Sequence, residues 1–390
     1  MNDNIVIKNK YRNINPLEIG VSSTTKIITN IGLVPKETSL ELEFEKARKA
    51  VYAGSDAISD VSIDVQYMEL LKLLVDNITV PIATVPLYGV CVTALKNKGA
   101  FIRYTIDDIL QEIEKQARLG VDVMTFHVTP TRRLLEKVKN TPRIIKISSR
   151  GGSFVAAHMI ENNVENLLYQ HFSEVLDIVK QYDITVSIGS SLRPASVYDG
   201  LDNIYIDEIL TQGEIVEMCR EKDVRVIVEG IGHMPLNLIP VAIKVIKNSC
   251  NNVPIRPLPI ATDIAAGYDH IAAAIAASVA AMNGAELLSV ITRGEHIGLP
   301  RLPDVVEGVR SFKIAAHIGD IARLGTYEQD KLVSIARNTR SWVNEFENCL
   351  FPDDAANLHG ILSESEFNQD KCTMCGSLCA LKITNAFLKK

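Results

Sequence analysis

The chain has 390 residues, 47% of them hydrophobic, a single tryptophan and a formal net charge of −6. That is enough apolar material for one large α/β core with an appendage. The negative balance and the lack of a long basic run argue against a nucleic-acid partner, and no uninterrupted apolar stretch reaches membrane-spanning length.

Residues 1–37 read as irregular, with Asn15-Pro16 and a Ser/Thr cluster at 22–25. The opening Met-Asn-Asp-Asn-Ile-Val has no signal or transit pattern. Over residues 38–302, strand-like apolar runs alternate with amphipathic helical segments. The eight runs are 57–63, 79–85, 121–126, 143–148, 184–188, 224–228, 255–261 and 286–291, and helical patterns include 106–119, 164–181, 206–220 and 238–247. Eight strands in alternation with helices predict a (β/α)8 TIM barrel. The runs are continuous and Val/Ile-rich, as parallel strands covered on both faces are. A doubly wound open sheet is the competing arrangement of the same elements. Residues 303–363 carry two helical patterns, 303–323 and 328–347, followed by Pro352-Asp353-Asp354. Residues 364–390 form a polar, cysteine-rich tail.

In that tail Cys372, Cys375 and Cys379 are spaced C-x2-C-x3-C. Three thiolates hold three irons of a [4Fe–4S] cluster and leave the fourth open to bind and reduce a ligand such as S-adenosylmethionine. A zinc knuckle needs a fourth ligand, for which His359 is the nearby candidate, and metal-free thiols are the third reading. Cys91, Cys219, Cys250 and Cys349 stand singly in apolar or helical patterns, as reduced thiols of a cytoplasmic protein do.

A barrel builds its active site where its strands end, and the chemically unusual residues fall there. Successive run ends give Thr125-Phe126-His127, Ser149-Arg150-Gly151-Gly152-Ser153, Gly189-Ser190-Ser191-Leu192-Arg193-Pro194, Glu229-Gly230-Ile231-Gly232-His233, Thr262-Asp263 and Glu295-His296. A lone His at a strand end is ordinarily structural; six such sites on one rim point to chemistry. Ser149-Arg150-Gly151-Gly152 offers a hydroxyl, a guanidinium fork and uncluttered backbone N–H groups, a phosphate cradle with Arg193 as its other wall. The plain alternative is a tight turn with a solvated Arg. His233 and His296, with Glu229 or Glu295 nearby, suit one divalent metal with open positions. The plain alternative is two supporting histidines.

Together these motifs resemble the ThiC family, the 4-amino-5-hydroxymethyl-2-methylpyrimidine phosphate synthases, and their anaerobic paralogues, the 5-hydroxybenzimidazole synthases. The resemblance runs from about Asn15 to Cys379. It rests on Thr29-Asn30-Ile31-Gly32, the Ser149 and Leu192-Arg193-Pro194 motifs, Val228-Glu229-Gly230-Ile231-Gly232-His233, Thr262-Asp263-Ile264-Ala265-Ala266-Gly267-Tyr268-Asp269-His270, Glu295-His296-Ile297-Gly298-Leu299-Pro300, Lys313-Ile314-Ala315-Ala316-His317 and Cys372-Thr-Met-Cys375-Gly. It implies a barrel dimer, of two copies of this chain or of this chain and a paralogous second subunit, whose tail carries a [4Fe–4S] cluster. The implied substrate is 5-aminoimidazole ribotide, with S-adenosylmethionine as radical source. By matched positions Asn30, Tyr88, His127, Ser149, Arg150, Gly151, Arg193 and Glu229 contact substrate, with Glu229 and His127 as candidates for proton transfer. His233 and His296 hold zinc or iron, and Cys372, Cys375 and Cys379 ligate the cluster.

The departures lie in the substrate shell. The family's Gly-Asp-Gly-Leu-Arg-Pro-Gly has Ser190 in place of Asp, a family Met is Ser59, a family Tyr is Arg256, and the Pro before the metal-ligand motif's Gly-His is Ile231. The cysteine motif is one residue shorter than the family's C-x2-C-x4-C. An altered shell around an unchanged phosphate grip, metal pair and cysteine set implies the 5-hydroxybenzimidazole synthase type, which makes the lower-ligand precursor of anaerobic cobamides. The alternatives are the pyrimidine phosphate synthase of thiamine biosynthesis and a non-catalytic subunit paired with a paralogue.

Overall fold

The computed structural model describes residues 4–363 and 374–388. It divides into two units, Met1–Leu324 and Gly325–Lys390. The first opens with an antiparallel hairpin of β1 (Ile5–Ile7) and β2 (Leu17–Ile19), Ile7 facing Leu17. Eight parallel strands follow: β3 (Lys26–Ile31), β4 (Ala57–Asp60), β5 (Ile82–Thr84), β6 (Val123–Phe126), β7 (Thr185–Ile188), β8 (Val226–Gly230), β9 (Ile255–Pro257) and β10 (Leu287–Ser289). Their order is β10-β3-β4-β5-β6-β7-β8-β9. Glu286 bridges the remaining seam: its N–H donates to Ile255 O at 3.3 Å and its Oε2 accepts from Ile255 N–H at 2.9 Å. This is the predicted (β/α)8 barrel.

Two strand assignments change. The first barrel strand is Lys26–Ile31, inside the segment read as irregular; the Ser/Thr cluster before it masks the β-branched run Ile27-Ile28-Thr29. Residues 143–148 are not a strand. Their backbone is claimed by side chains: Asp199 accepts from Ile144 N–H at 3.0 Å and from Ile145 N–H at 3.3 Å. The Arg143 guanidinium is locked on Asp202 at 2.6 and 2.5 Å and on Leu192 O at 2.8 Å. The β6–β7 connection is therefore long, and the Ser149 motif opens the helix Arg150–Asn162 within it.

Side chains two apart on a strand share a face, and the barrel interior uses this to change character with height. The lower layer is apolar: Ile28, Ala57, Ala83, Val123, Ile227 and Leu287 pack with Ile7, Leu17 and Ile19 of the hairpin, which plugs the base. Two residues further along the same strands stand Asn30, Ser59, Thr125, Glu229 and Ser289.

The 303–323 pattern is the helix Leu302–Leu324, which packs beside Asp269–Met282 and belongs to the barrel unit. Its buried Asp320 accepts from Thr25 N–H and, at 2.6 Å, from Thr25 Oγ1, pinning the start of β3. In the second unit the 328–347 pattern breaks at Arg340, whose φ is 60°, into Glu328–Thr339 and Trp342–Glu347. The helices Pro352–Ser363 and Ala380–Leu388 follow. Trp342 packs on Phe346 and His359 at ring separations of 5.7 and 4.4 Å. Among the described residues no helix is long and apolar enough to cross a membrane.

Candidate active site

A cavity of about 460 Å3 opens at the C-terminal ends of the strands. Its wall includes Asn30, Ser59, Tyr88, His127, Ser149, Arg150, Arg193, Glu229 and Arg256. Sequence reasoning gathered these from eight separate segments, and the barrel brings them to one chamber.

One wall is the start of helix Arg150–Asn162. Ser149 is its N-cap, its Oγ accepting from Gly152 N–H at 3.2 Å, and the Tyr88 hydroxyl accepts from Gly151 N–H, which leaves the Arg150 N–H at the positive end of the helix for an anion. The Arg150 guanidinium lies 5.4 Å from the Tyr88 ring centre and donates to Val61 O at 3.1 Å. Arg193 donates to Ser190 O. Neither Arg has a carboxylate partner among the described residues. Gly151 lies behind the wall, where a Cβ would overlap the His127 ring. The ring is buried with no protein partner for Nδ1 among the described residues, and burial pulls its pKa down to about 4, so it is neutral at pH 7.

The floor is built on Arg256. Its Nε donates to Ser289 Oγ at 2.9 Å, its Nη2 to Asn30 Oδ1 at 3.3 Å, and its Nη1 lies 3.2 Å from Glu229 Oε1. Ser59, beside Asn30 across β3 and β4, completes this layer.

His233 and His296 meet at the rim with ring centres 5.0 Å apart, edge to face. His233 Nδ1 donates to Asp263 Oδ1 at 2.6 Å and His296 Nδ1 to Asp269 Oδ1 at 3.2 Å. Burial holds the His233 pKa below its usual value, against the pull of Asp263. With Nδ1 committed on both rings, the two Nε2 atoms have no protein partner among the described residues. Carboxylate-backed imidazoles of this kind are the donor arrangement of metal-binding histidines. The predicted neighbours do not add a ligand: Glu229 turns to Arg256, and Glu295 accepts from Thr292 N–H at 3.3 Å and Thr292 Oγ1 at 3.1 Å. Among the described residues no three His, Cys, Asp or Glu side chains gather as a metal cage.

In the tail, Cys375 is exposed and Cys379 half-buried, both reduced. Backbone N–H groups at the start of helix Ala380–Leu388, Lys382 first, hold the Cys379 thiol below its usual pKa, toward the thiolate that binds iron. Cys372 lies outside the described residues.

The family model of the radical SAM ThiC family matches residues 2–386. The chain belongs to that family. It is therefore a radical S-adenosylmethionine enzyme of rearrangement or lyase type, and membership implies an iron–sulfur cluster and S-adenosylmethionine. The reduced cysteines fit the cluster. The chain is 40% identical to the phosphomethylpyrimidine synthase of Methanocaldococcus jannaschii, over 99% of this chain and 91% of that one. It is also 40% identical to those of Thermoanaerobacter pseudethanolicus, over 97% and 88%, and Thermotoga neapolitana, over 98% and 91%. A solved dihydropteroate synthase from Coxiella burnetii in complex with pteroic acid covers 80% of this chain and 96% of its own at 10% identity, with a TM-score of 0.48, too distant to bear on the chemistry.

Within this ThiC-family site, Ser190 stands apart from the cavity wall. Its Oγ donates to Glu208 Oε2 at 2.8 Å. Glu208 is buried and also accepts from Thr129 Oγ1 at 2.6 Å, Ser191 N–H at 2.6 Å and Leu192 N–H at 2.9 Å, bracing the loop that aims Arg193. Sequence reasoning missed Glu208, one of several carboxylates in a helical pattern. It also missed Glu43 and Lys46, a buried pair at 2.6 Å that lines the cavity from helix Leu40–Tyr52, with Glu43 Oε2 accepting from Gly32 N–H at 2.9 Å. In sequence they look like an ordinary i,i+3 surface pair. Asp263 and Asp269 were visible in the motif, but nothing in it assigned them to the histidines.

Proposed function

We propose that this enzyme rearranges 5-aminoimidazole ribotide to a hydroxybenzimidazole, with S-adenosylmethionine as radical source. The observation that carries the reading is Arg256. Inside the barrel it engages Glu229, Asn30 and Ser289 together, at a position where the family it resembles has a Tyr. That change rewires the polar floor while the phosphate wall and the His pair keep the family's residues.

In this reading the guanidinium groups of Arg150 and Arg193, which have no carboxylate partner among the described residues, and the Arg150 N–H after Ser149 bind the substrate phosphate. Asn30, Ser59, Tyr88 and the Arg256–Glu229 pair orient the imidazole and ribose. Gly151 lets the neutral His127 ring stand against the phosphate wall, where Nδ1, without a protein partner among the described residues, accepts a proton. Glu229, held by Arg256, is the second candidate for proton transfer. Ser190 acts indirectly, through Glu208 and the loop. His233 and His296 bind one divalent metal, zinc or iron, through Nε2 and leave positions for substrate. Cys375 and Cys379, with Cys372, ligate the cluster, which when bound supplies the electron that starts the radical chemistry. Reduced thiols and an oxygen-sensitive cluster suit the cytoplasm. A homodimer is supported by the apolar face of Ile271, Ile275 and Met282 with Ile314 and Ile318 on the neighbouring helix, all about half exposed.

A second reading, the pyrimidine phosphate synthase, is favoured by the names of relatives 40% identical along nearly the whole chain. The test is an anaerobic turnover of the reconstituted enzyme with the ribotide, S-adenosylmethionine and reductant, with products identified by mass. Hydroxybenzimidazole with 5′-deoxyadenosine supports the proposal. A pyrimidine phosphate overturns it in favour of the second reading.

A further inference from the structure

The phosphate wall and the His pair sit on different loops, yet one carboxylate ties His233 to the loop that starts at Arg193. Asp263 Oδ1 accepts from His233 Nδ1 at 2.6 Å, while its Oδ2 accepts from Val197 N–H at 2.8 Å. Val197 closes the 193–197 loop, which starts at Arg193. The same loop meets the His233 backbone, whose N–H donates to Pro194 O at 2.9 Å. The contact has no slack, since a Cβ on Gly232 would overlap Pro194 O. His296 is held differently. Its partner Asp269 opens the helix Asp269–Met282, and the second oxygen of Asp269 is buried with no protein partner among the described residues.

We infer that Asp263 is a positioning residue that couples metal binding at His233 to phosphate binding at Arg193, whereas Asp269 serves His296 alone. The inference rests on the proposed roles of the His pair and Arg193. With Nε2 given to a metal, the one N–H of the neutral His233 ring would lie at Nδ1, where Asp263 Oδ1 accepts it and holds the ring. That anchors Asp263, and Asp263 then anchors Val197 and the loop that aims Arg193. A phosphate held by Arg193 acts through the same bonds in reverse, so each ligand tightens the other by one common factor.

The experiment titrates the full chain by calorimetry with Co2+ and with 5-aminoimidazole ribotide, each alone and at saturation of the other. It uses the natural protein, Asp263→Ala and Asp269→Ala, and follows the cobalt visible spectrum alongside. The natural protein is expected to bind one Co2+ and to show reciprocal tightening of roughly 5–150-fold. Both variants are expected to weaken Co2+ by about 10–100-fold. Asp269→Ala should keep the tightening factor once cobalt is saturating, and Asp263→Ala should bring it to about one. Asp263 is half-exposed, so its removal is not expected to unfold the chain. Retained coupling in Asp263→Ala, or equal loss in both variants, overturns the inference with the metal site intact. A natural protein that binds the ribotide but no Co2+ overturns the metal reading itself, and the coupling with it.

Discussion

Six strands set Ile28, Ala57, Ala83, Val123, Ile227 and Leu287 against the plugging hairpin, and five of them carry Asn30, Ser59, Thr125, Glu229 or Ser289 one step higher. The lower layer is held by burial alone: each side chain fills space left by its neighbours, and direction matters little. In the upper layer every polar atom taken from water needs a partner. Arg256 supplies partners to Asn30, Glu229 and Ser289, while Thr125 Oγ1 and His127 Nδ1 have none among the described residues. The lower layer is thus complete without a ligand, and the upper layer leaves polar atoms for one. Stability and activity should accordingly separate by height along the same strands.

The largest effect expected is from Arg256→Met. It leaves the Glu229 carboxylate buried without its cation, a loss of about 3–5 kcal/mol in urea unfolding, together with loss of turnover. A cost below about 1 kcal/mol would mean that Glu229 finds another partner and the floor is less interlocked than its geometry says. One layer lower, Ile227→Ala should cost about 2–5 kcal/mol and leave kcat/KM of the folded fraction unchanged. A large fall in kcat/KM there would break the separation between the layers. Gly151→Ala should do the converse. A methyl group drives the His127 ring out of place, and misplacement on the order of 1 Å costs about 100-fold in rate, measurable as kcat/KM at unchanged melting temperature if the helix holds its position.

The smallest effect is in pH. Folded His127 titrates at about 4 because it is buried, against an ordinary value of 6.5. Between these values the unfolded chain binds the extra proton. The contribution is therefore fully present above pH 6.5 and lost as the pH falls toward 4, at most about 3 kcal/mol. His127→Gln should flatten that slope of stability against pH. An imidazole NMR shift moving with a midpoint near 6.5 would show instead that the ring is solvated and belongs with the surface.

Much of the fold is legible in the order of residues. Alternation of Val/Ile-rich runs with amphipathic segments specifies a barrel, since strand and helix periodicities are local properties of the chain. The rim motifs are readable because a barrel concentrates chemistry at its strand ends. Strand identity is less secure. Lys26–Ile31 hides behind a Ser/Thr cluster, and residues 143–148 have a strand's composition but lose their backbone N–H groups to Asp199. The motif around Ser190 points to the substrate shell, yet its hydroxyl is spent on Glu208, eighteen residues later.

Which residue types stand at the ends of the strands, and so the family and the kind of chemistry, follows from the amino-acid order alone. Their pairing is settled only by folding. Arg256 and Asn30 are 226 residues apart and meet because the barrel brings β9 and β3 to one interior. Asp263 reaches both His233 and Val197 because three loops converge on one rim. Hydrogen bonds and ion pairs act over a few ångströms, so which groups they join is set by the closed sheet and not by the order of residues along the chain.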